Sequence, residues 1–139
     1  MSFRNWFSGK KRLDLSKRSP AVQSLIKKTI VYLQKRAAED RAAQIRPAML
    51  AMAISENEMI ALTALNILRK AGVTKAHLGL YCDATMQRMG EARPGGPIPE
   101  ALPCDACFGE QHDLDTGTMR KELFFTFDPE ALAEIKEAA

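Results

Sequence analysis

At 139 residues, 46% hydrophobic and 27% charged, the chain has the composition of one soluble globular domain whose core does not need disulfides to survive. The longest apolar run, AMLAMAI at 48–54, falls well short of the ~20 residues that a spanning helix needs, and MSFRNWFSGKKRL lacks a signal peptide's apolar segment, so the sequence reads as cytoplasmic. The formal net charge of +3 conceals a division: residues 1–46 hold twelve Lys or Arg against three acids, and the remainder holds eight against fourteen. A basic leading third suggests an anionic partner, with nucleic acid foremost and an acidic protein or an anionic membrane surface as alternatives.

Residues 1–18 read as a flexible basic and aromatic arm. Phe3, Trp6 and Phe7 recur at helical spacing ahead of Lys10, Lys11 and Arg12. Such rings can enter a lipid interface while the charges meet headgroups, stack on single-stranded bases, or fold back onto the body or a dimer partner. Ser19 and Pro20 then form a helix start. Val22, Leu25, Ile26, Ile30, Leu33 and Ala37 follow at helical spacing with Lys27, Lys28 and Lys35 opposite, and Pro47 ends the pattern near Arg46.

Ala48–Ile54 is a short apolar piece. Ser55 and Glu58 fit a capping box for a second helix, which carries Arg69 and Lys70 in its last turn and stops at Gly72. The segment VTKAHLGLYCDATMQRMG fits either a helix capped by Thr74 or a strand alternating Leu78, Leu80 and Cys82 against His77, Gly79 and Tyr81. The weak strand character of DATMQRM favours the helix.

Gly90–Gly117 holds four prolines before Cys104 and a Gly95–Gly96 pair, which predicts a long loop without regular structure. RKELFFTF predicts a strand with Leu123, Phe125 and Phe127 on one side, and Asp128 and Pro129 open a last helix that docks through Leu132 and Ile135. The expected fold is therefore α+β and predominantly helical: four to five helices, a small C-terminal strand element, and a Gly/Pro-rich loop carrying CxxC. Residues 19–139 are expected to form a single mostly helical domain.

Two stretches carry candidate chemistry. In PCDACFGEQHD, Cys104 and Cys107 have the spacing that lets one turn offer two thiolates to an ion, with His112 as third ligand. This run resembles the zinc knuckle of retroviral nucleocapsid proteins over its first three ligand positions; Gly117 stands where that family has its last cysteine. Cys82 is the best fourth ligand, with His77, Asp113 or Asp115 behind it, and a bound zinc would account for a Gly/Pro loop kept in a folded domain. The alternatives are loop thiols without a role and a redox pair of Cys104 and Cys107; Asp105 and Glu110 work against the thiolate that redox chemistry needs.

The second stretch is LNILRKAGVTKAHLGLY. A helix, a glycine-bearing turn and a second helix opening at Thr74 follow the plan of a helix-turn-helix across 56–89. AGVTKAHLGLY resembles the turn and recognition-helix start of tetracycline-repressor-type regulators. That resemblance implies Thr74, Lys75 and His77 near DNA bases, with Arg69 and Lys70 near phosphates.

No phosphate-cradling glycine loop, nucleophile motif or di-metal pattern is present, so binding rather than catalysis is expected. The leading expectation is a small cytoplasmic nucleic-acid-binding regulator, zinc-stabilised, that uses Lys10, Lys11, Arg12, Lys27, Lys28 and Lys35 with the helix pair. The alternatives are a protein-interaction or peripheral-membrane adaptor and a thiol redox protein.

Overall fold

The computed structural model describes residues 15–134. Its elements in chain order are α1 (Pro20–Glu39), α2 (Pro47–Ile54), α3 (Glu58–Lys70), β1 (Thr74–Cys82), β2 (Arg88–Ala92), β3 (Leu102–Cys104), a single 3-10 turn (Asp105–Cys107), β4 (Glu110–His112), β5 (Met119–Phe127) and α4 (Pro129–Glu134). A three-stranded sheet has the order β2-β1-β5, and β3 and β4 form a second, two-stranded sheet. Among the described residues the fold is α+β at 42% helix and 25% strand, which corrects the expectation of a predominantly helical chain. The chain divides into two units, 1–75 with 125–139, and 76–124.

In the first unit α1 begins where the sequence indicates: the Ser19 hydroxyl accepts the Val22 amide and Pro20 occupies the first helical position. The helix stops at Glu39, seven residues before the expected end, because Asp40 turns extended and its side chain accepts the Ala42 amide. Leu25, Ile26, Ile30 and Leu33 form its buried stripe. The apolar piece after Pro47 is a helix, α2, whose carbonyl end at Ile54 receives the Lys28 ammonium at 3.3 Å. Ser55 adopts the left-handed conformation that ends α2, so it does not cap α3. Asn57 does, with its side-chain oxygen on the Ile60 amide at 2.9 Å. Three residues thus separate α2 from α3, and the chain turns through 106° between them. Both helices pack on α1, and α4 packs on α1 as well.

Gly72, at φ 82°, ends α3 as the sequence implies, but the chain then enters a strand. The Val73 amide returns to Leu68 O and the Thr74 hydroxyl to Leu65 O, which fixes an extended exit that no helix at 74–89 could share. Ile45 exchanges both backbone hydrogen bonds with Phe125 (2.7 and 2.8 Å), and Asp128 caps α4 through the Glu130 and Ala131 amides.

In the second unit β1 pairs antiparallel with β2 in the register Leu78↔Ala92, Gly79↔Glu91, Leu80↔Gly90, Tyr81↔Arg88, with a bulge after Leu80. The expected structureless loop therefore contains the end of β2 and the whole of β3, the 3-10 turn and β4. Its prolines and glycines fall mostly between these short strands, and Pro103 lies on the two-stranded sheet. Gly79 makes room for the Tyr81 ring, because a Cβ there would lie 2.6–2.9 Å from ring atoms. Gly79→Ala should accordingly cost on the order of 1–3 kcal/mol of stability as the ring is displaced, measurable by denaturant titration. In β5 both Phe124 and Phe125 are buried, so the strand is covered on two faces, where the alternating Leu123, Phe125, Phe127 pattern indicated one.

Candidate metal centre

Residues from three segments of the second unit converge. Cys104 closes β3 with extended backbone, and the 3-10 turn that follows brings Cys107, three residues on, back beside it. Phe108 (φ 57°) and Gly109 (φ 84°) then reverse the chain through consecutive left-handed conformations, and the Gly109 amide bonds back to Cys104 O at 2.8 Å. The reversal lays β4 against β3 with His112 opposite Leu102. Cys82 arrives from the end of β1, in a second tight turn: its amide bonds Gln87 O, and Met86, also left-handed, bonds Cys82 O.

The thiols of Cys82, Cys104 and Cys107 and a ring nitrogen of His112 lie within 4.8 Å of one another, and these residues could hold a metal ion. All three cysteines are free, and Cys82, Cys104 and His112 are buried. The Sγ atoms of Cys82 and Cys107 are 3.9 Å apart. Two thiolates each about 2.3 Å from one tetrahedral ion would be about 3.8 Å apart. His112 is 4% exposed, and neither of its ring nitrogens has a hydrogen-bond partner. A buried polar atom left so costs roughly 1–3 kcal/mol, and coordination through one nitrogen relieves one of the two deficits.

Comparison of the chain with protein-family models, curated proteins and solved structures finds no match.

The thiols of this centre are electrostatically unlike. The Thr85 hydroxyl and amide, followed by the Ala84 amide, stabilise the Cys82 thiolate and lower its pKa from 9.0 to about 6. Hydrogen bonding with Cys104, burial, and Cys82 push Cys107 up to about 11. For the metal-free protein the two act in opposite directions. The Cys82 contribution to stability is complete above pH 9.0 and lost as pH falls through about 6, whereas the Cys107 contribution is complete below 9.0 and lost as pH rises through about 11.

The four ligands chosen from sequence, Cys82, Cys104, Cys107 and His112, come together. Of the reserve ligands, Asp115 is exposed and the other two have other roles. Asp113 binds the Thr116 amide and hydroxyl, which hold its carboxyl below the usual carboxylate range. His77 bonds Glu91 through Nδ1 and stacks on Phe124 at 4.9 Å, and Arg88 lies over the same ring.

The DNA-facing set disperses. Thr74 is buried and its hydroxyl is used by Leu65 O, His77 is held as just described, and the helix they were to begin is β1. Lys27, Lys28 and Lys35 are on exposed positions of α1, and Arg69, Lys70 and Lys75 are exposed at and after the end of α3. Lys10, Lys11, Arg12, Phe3, Trp6 and Phe7 lie outside the described residues. Sequence reasoning missed Thr85, whose signal was a hydroxyl three residues after a cysteine, and Phe108, an aromatic standing alone in an acidic loop.

Proposed function

We propose that this chain is a nucleic-acid-binding protein that presents α2 and α3 as a helix-turn-helix and holds its second unit together with a zinc ion. The observation that carries the first half is the three-residue turn through 106° between α2 and α3. Helix-turn-helix motifs join their helices at about 90–120° through a turn of this length and offer the second helix to the major groove. On this reading the motif comprises α2 and α3, one element earlier than the 56–89 pair expected from the sequence, whose second half is β1. Three thiolates and an imidazole favour zinc, which takes such ligands tetrahedrally and whose structural sites contribute folding free energy. In a four-ligand centre of this kind the protein fills every position, which suits a structural rather than a catalytic ion.

The outer face of α3 limits what it reads. Its first turn exposes Glu58 and Met59, with Thr63 a turn later, so it offers apolar contact to base edges but no cation there. Affinity then rests on phosphate contacts by Arg69, Lys70, Lys75 and the basic arm, which makes binding weakly selective and strongly salt-dependent. Even four such contacts would make binding to a duplex about 10²-fold weaker at 200 mM than at 50 mM salt, measured by fluorescence anisotropy. Lys70→Ala should reduce the slope of log K against log salt by about 1. Absence of binding at 50 mM salt refutes the reading.

A protein-interaction adaptor is the second reading, and one observation favours it: Met52 is 84% and Met59 72% exposed. Flexible thioethers suit adaptable protein contacts. That reading predicts no salt-dependent nucleic-acid binding.

A further inference from the structure

Phe108 sits at the turn between Cys107 and Gly109 and is fully exposed, at 102% of its reference area. Its backbone is left-handed (φ 57°), a conformation that is uncommon for a bulky residue and comfortable for glycine. A chain gains nothing for its own folding by placing an aromatic ring there. A ring presented from a tight turn does suit an anchor, because its backbone is already fixed and only the side chain has freedom to lose on docking. Asp105 and Glu110 flank it, both exposed, and the unit that carries it has eight acids against four cations. Such surroundings repel phosphates and select a cationic, apolar receptor.

The first unit contains a receptor of that description. A groove of about 810 Å³ between α1 and α2 has Val31, Tyr32 and Met49 as apolar lining and Lys27, Lys35 and Arg36 among its cations, with Glu39 as its one acid. Val31 is 56% and Met49 40% exposed, although both are large and apolar. The knob is acidic with an aromatic tip, and the groove is basic with an apolar floor.

We propose that Phe108 of one chain docks in the α1–α2 groove of a second copy, so that copies associate head to tail. The contact uses two different patches and is therefore heterologous, so it continues into larger assemblies unless it closes into a ring. Its ionic component makes it weaker as salt is added. Nothing in it depends on nucleic acid, so its failure would leave the proposed function intact, and the reverse holds as well.

Sedimentation velocity on the nuclease-treated, metal-loaded full chain tests this. The expected result is association that grows with protein concentration and is weakened at least 10-fold by Phe108→Gly, a substitution that suits the left-handed turn and so leaves the melting temperature unchanged or raised. Val31→Asp, at an exposed helix position, should weaken self-association equally, with Lys35→Glu as a second groove variant should Val31→Asp unfold α1. The decisive sample is an equimolar mixture of Phe108→Gly with the groove variant. One intact groove and one intact knob remain between them, so they should pair as a dimer that grows no further. A wild-type chain that stays monomeric at hundreds of micromolar, association that Phe108→Gly does not alter, or a mixture that stays monomeric would each overturn the proposal.

Discussion

Cys107→Ser is expected to lower zinc affinity at least about 100-fold and to remove hydrogen-exchange protection from residues 76–124 while α1, α2 and α3 stay protected. The magnitude follows from the role of the residue. Loss of an outer-shell partner alone typically costs 10–100-fold in metal affinity, and a direct thiolate ligand costs no less. The locality follows from composition. The second unit draws its buried side chains from a short list, with Leu80, Met119 and Phe124 beside the ligands themselves. The first unit has its own core, in which Ile26, Ile30 and Leu33 of α1 join Leu50, Leu65 and Leu68 from the other helices. A chelator should reproduce the effect of the substitution in the wild-type chain, and affinity should fall with pH as protons compete for the thiolates and the imidazole. Purified protein that contains no metal, binds none when zinc is added and melts identically with and without chelator would remove the centre.

Phe125→Ala is expected to destabilise the chain by about 3–5 kcal/mol, with a melting temperature lower by on the order of 10 °C. The ring is 1% exposed, so the substitution leaves a cavity the size of the ring. The backbone of the same residue makes both hydrogen bonds of the bridge to Ile45, which is itself fully buried and fixes the connection between α1 and α2. Phe125→Leu, which retains most of the apolar volume, should cost distinctly less. Equal losses for alanine and leucine would show that the ring itself, rather than the volume it fills, is what the site requires.

What can be read from the sequence is what short-range chemistry decides. Ser19 with Pro20 and Gly72 mark real helix ends because caps act within one turn of the residues they satisfy. The four ligands can be chosen because thiol spacing is local and because few other soft donors exist in the chain. The Gly90–Gly117 segment and 74–89 escape such a reading for the opposite reason. β2, β3 and β4 are short strands whose partners, such as Ala92 for Leu78 and His112 for Leu102, are set by pairing and not by any period within the segment. Ala48–Ile54 is apolar at every position, so its pattern does not distinguish helix from strand. Placing the cap of α3 at Ser55 instead of Asn57 is a small displacement with a larger consequence, because it conceals the short turn between α2 and α3.

The Asp83 amide donates to Thr118 O at 3.0 Å, so the chain entering the ligand-bearing segment and the chain leaving it meet as neighbours. Everything from Ala84 to Gly117 is, in topological terms, the tip of one hairpin. Because closing a flexible loop costs only about 0.6 kcal/mol more for each doubling of its length, the linkers within it, such as 93–101, can vary in length at little entropic penalty, whereas its strands cannot. Removal of the tip would strip β1 of its β2 neighbour and take away Cys104, Cys107 and His112 together, so the sheet edge and the ligand set stand or fall as one insertion.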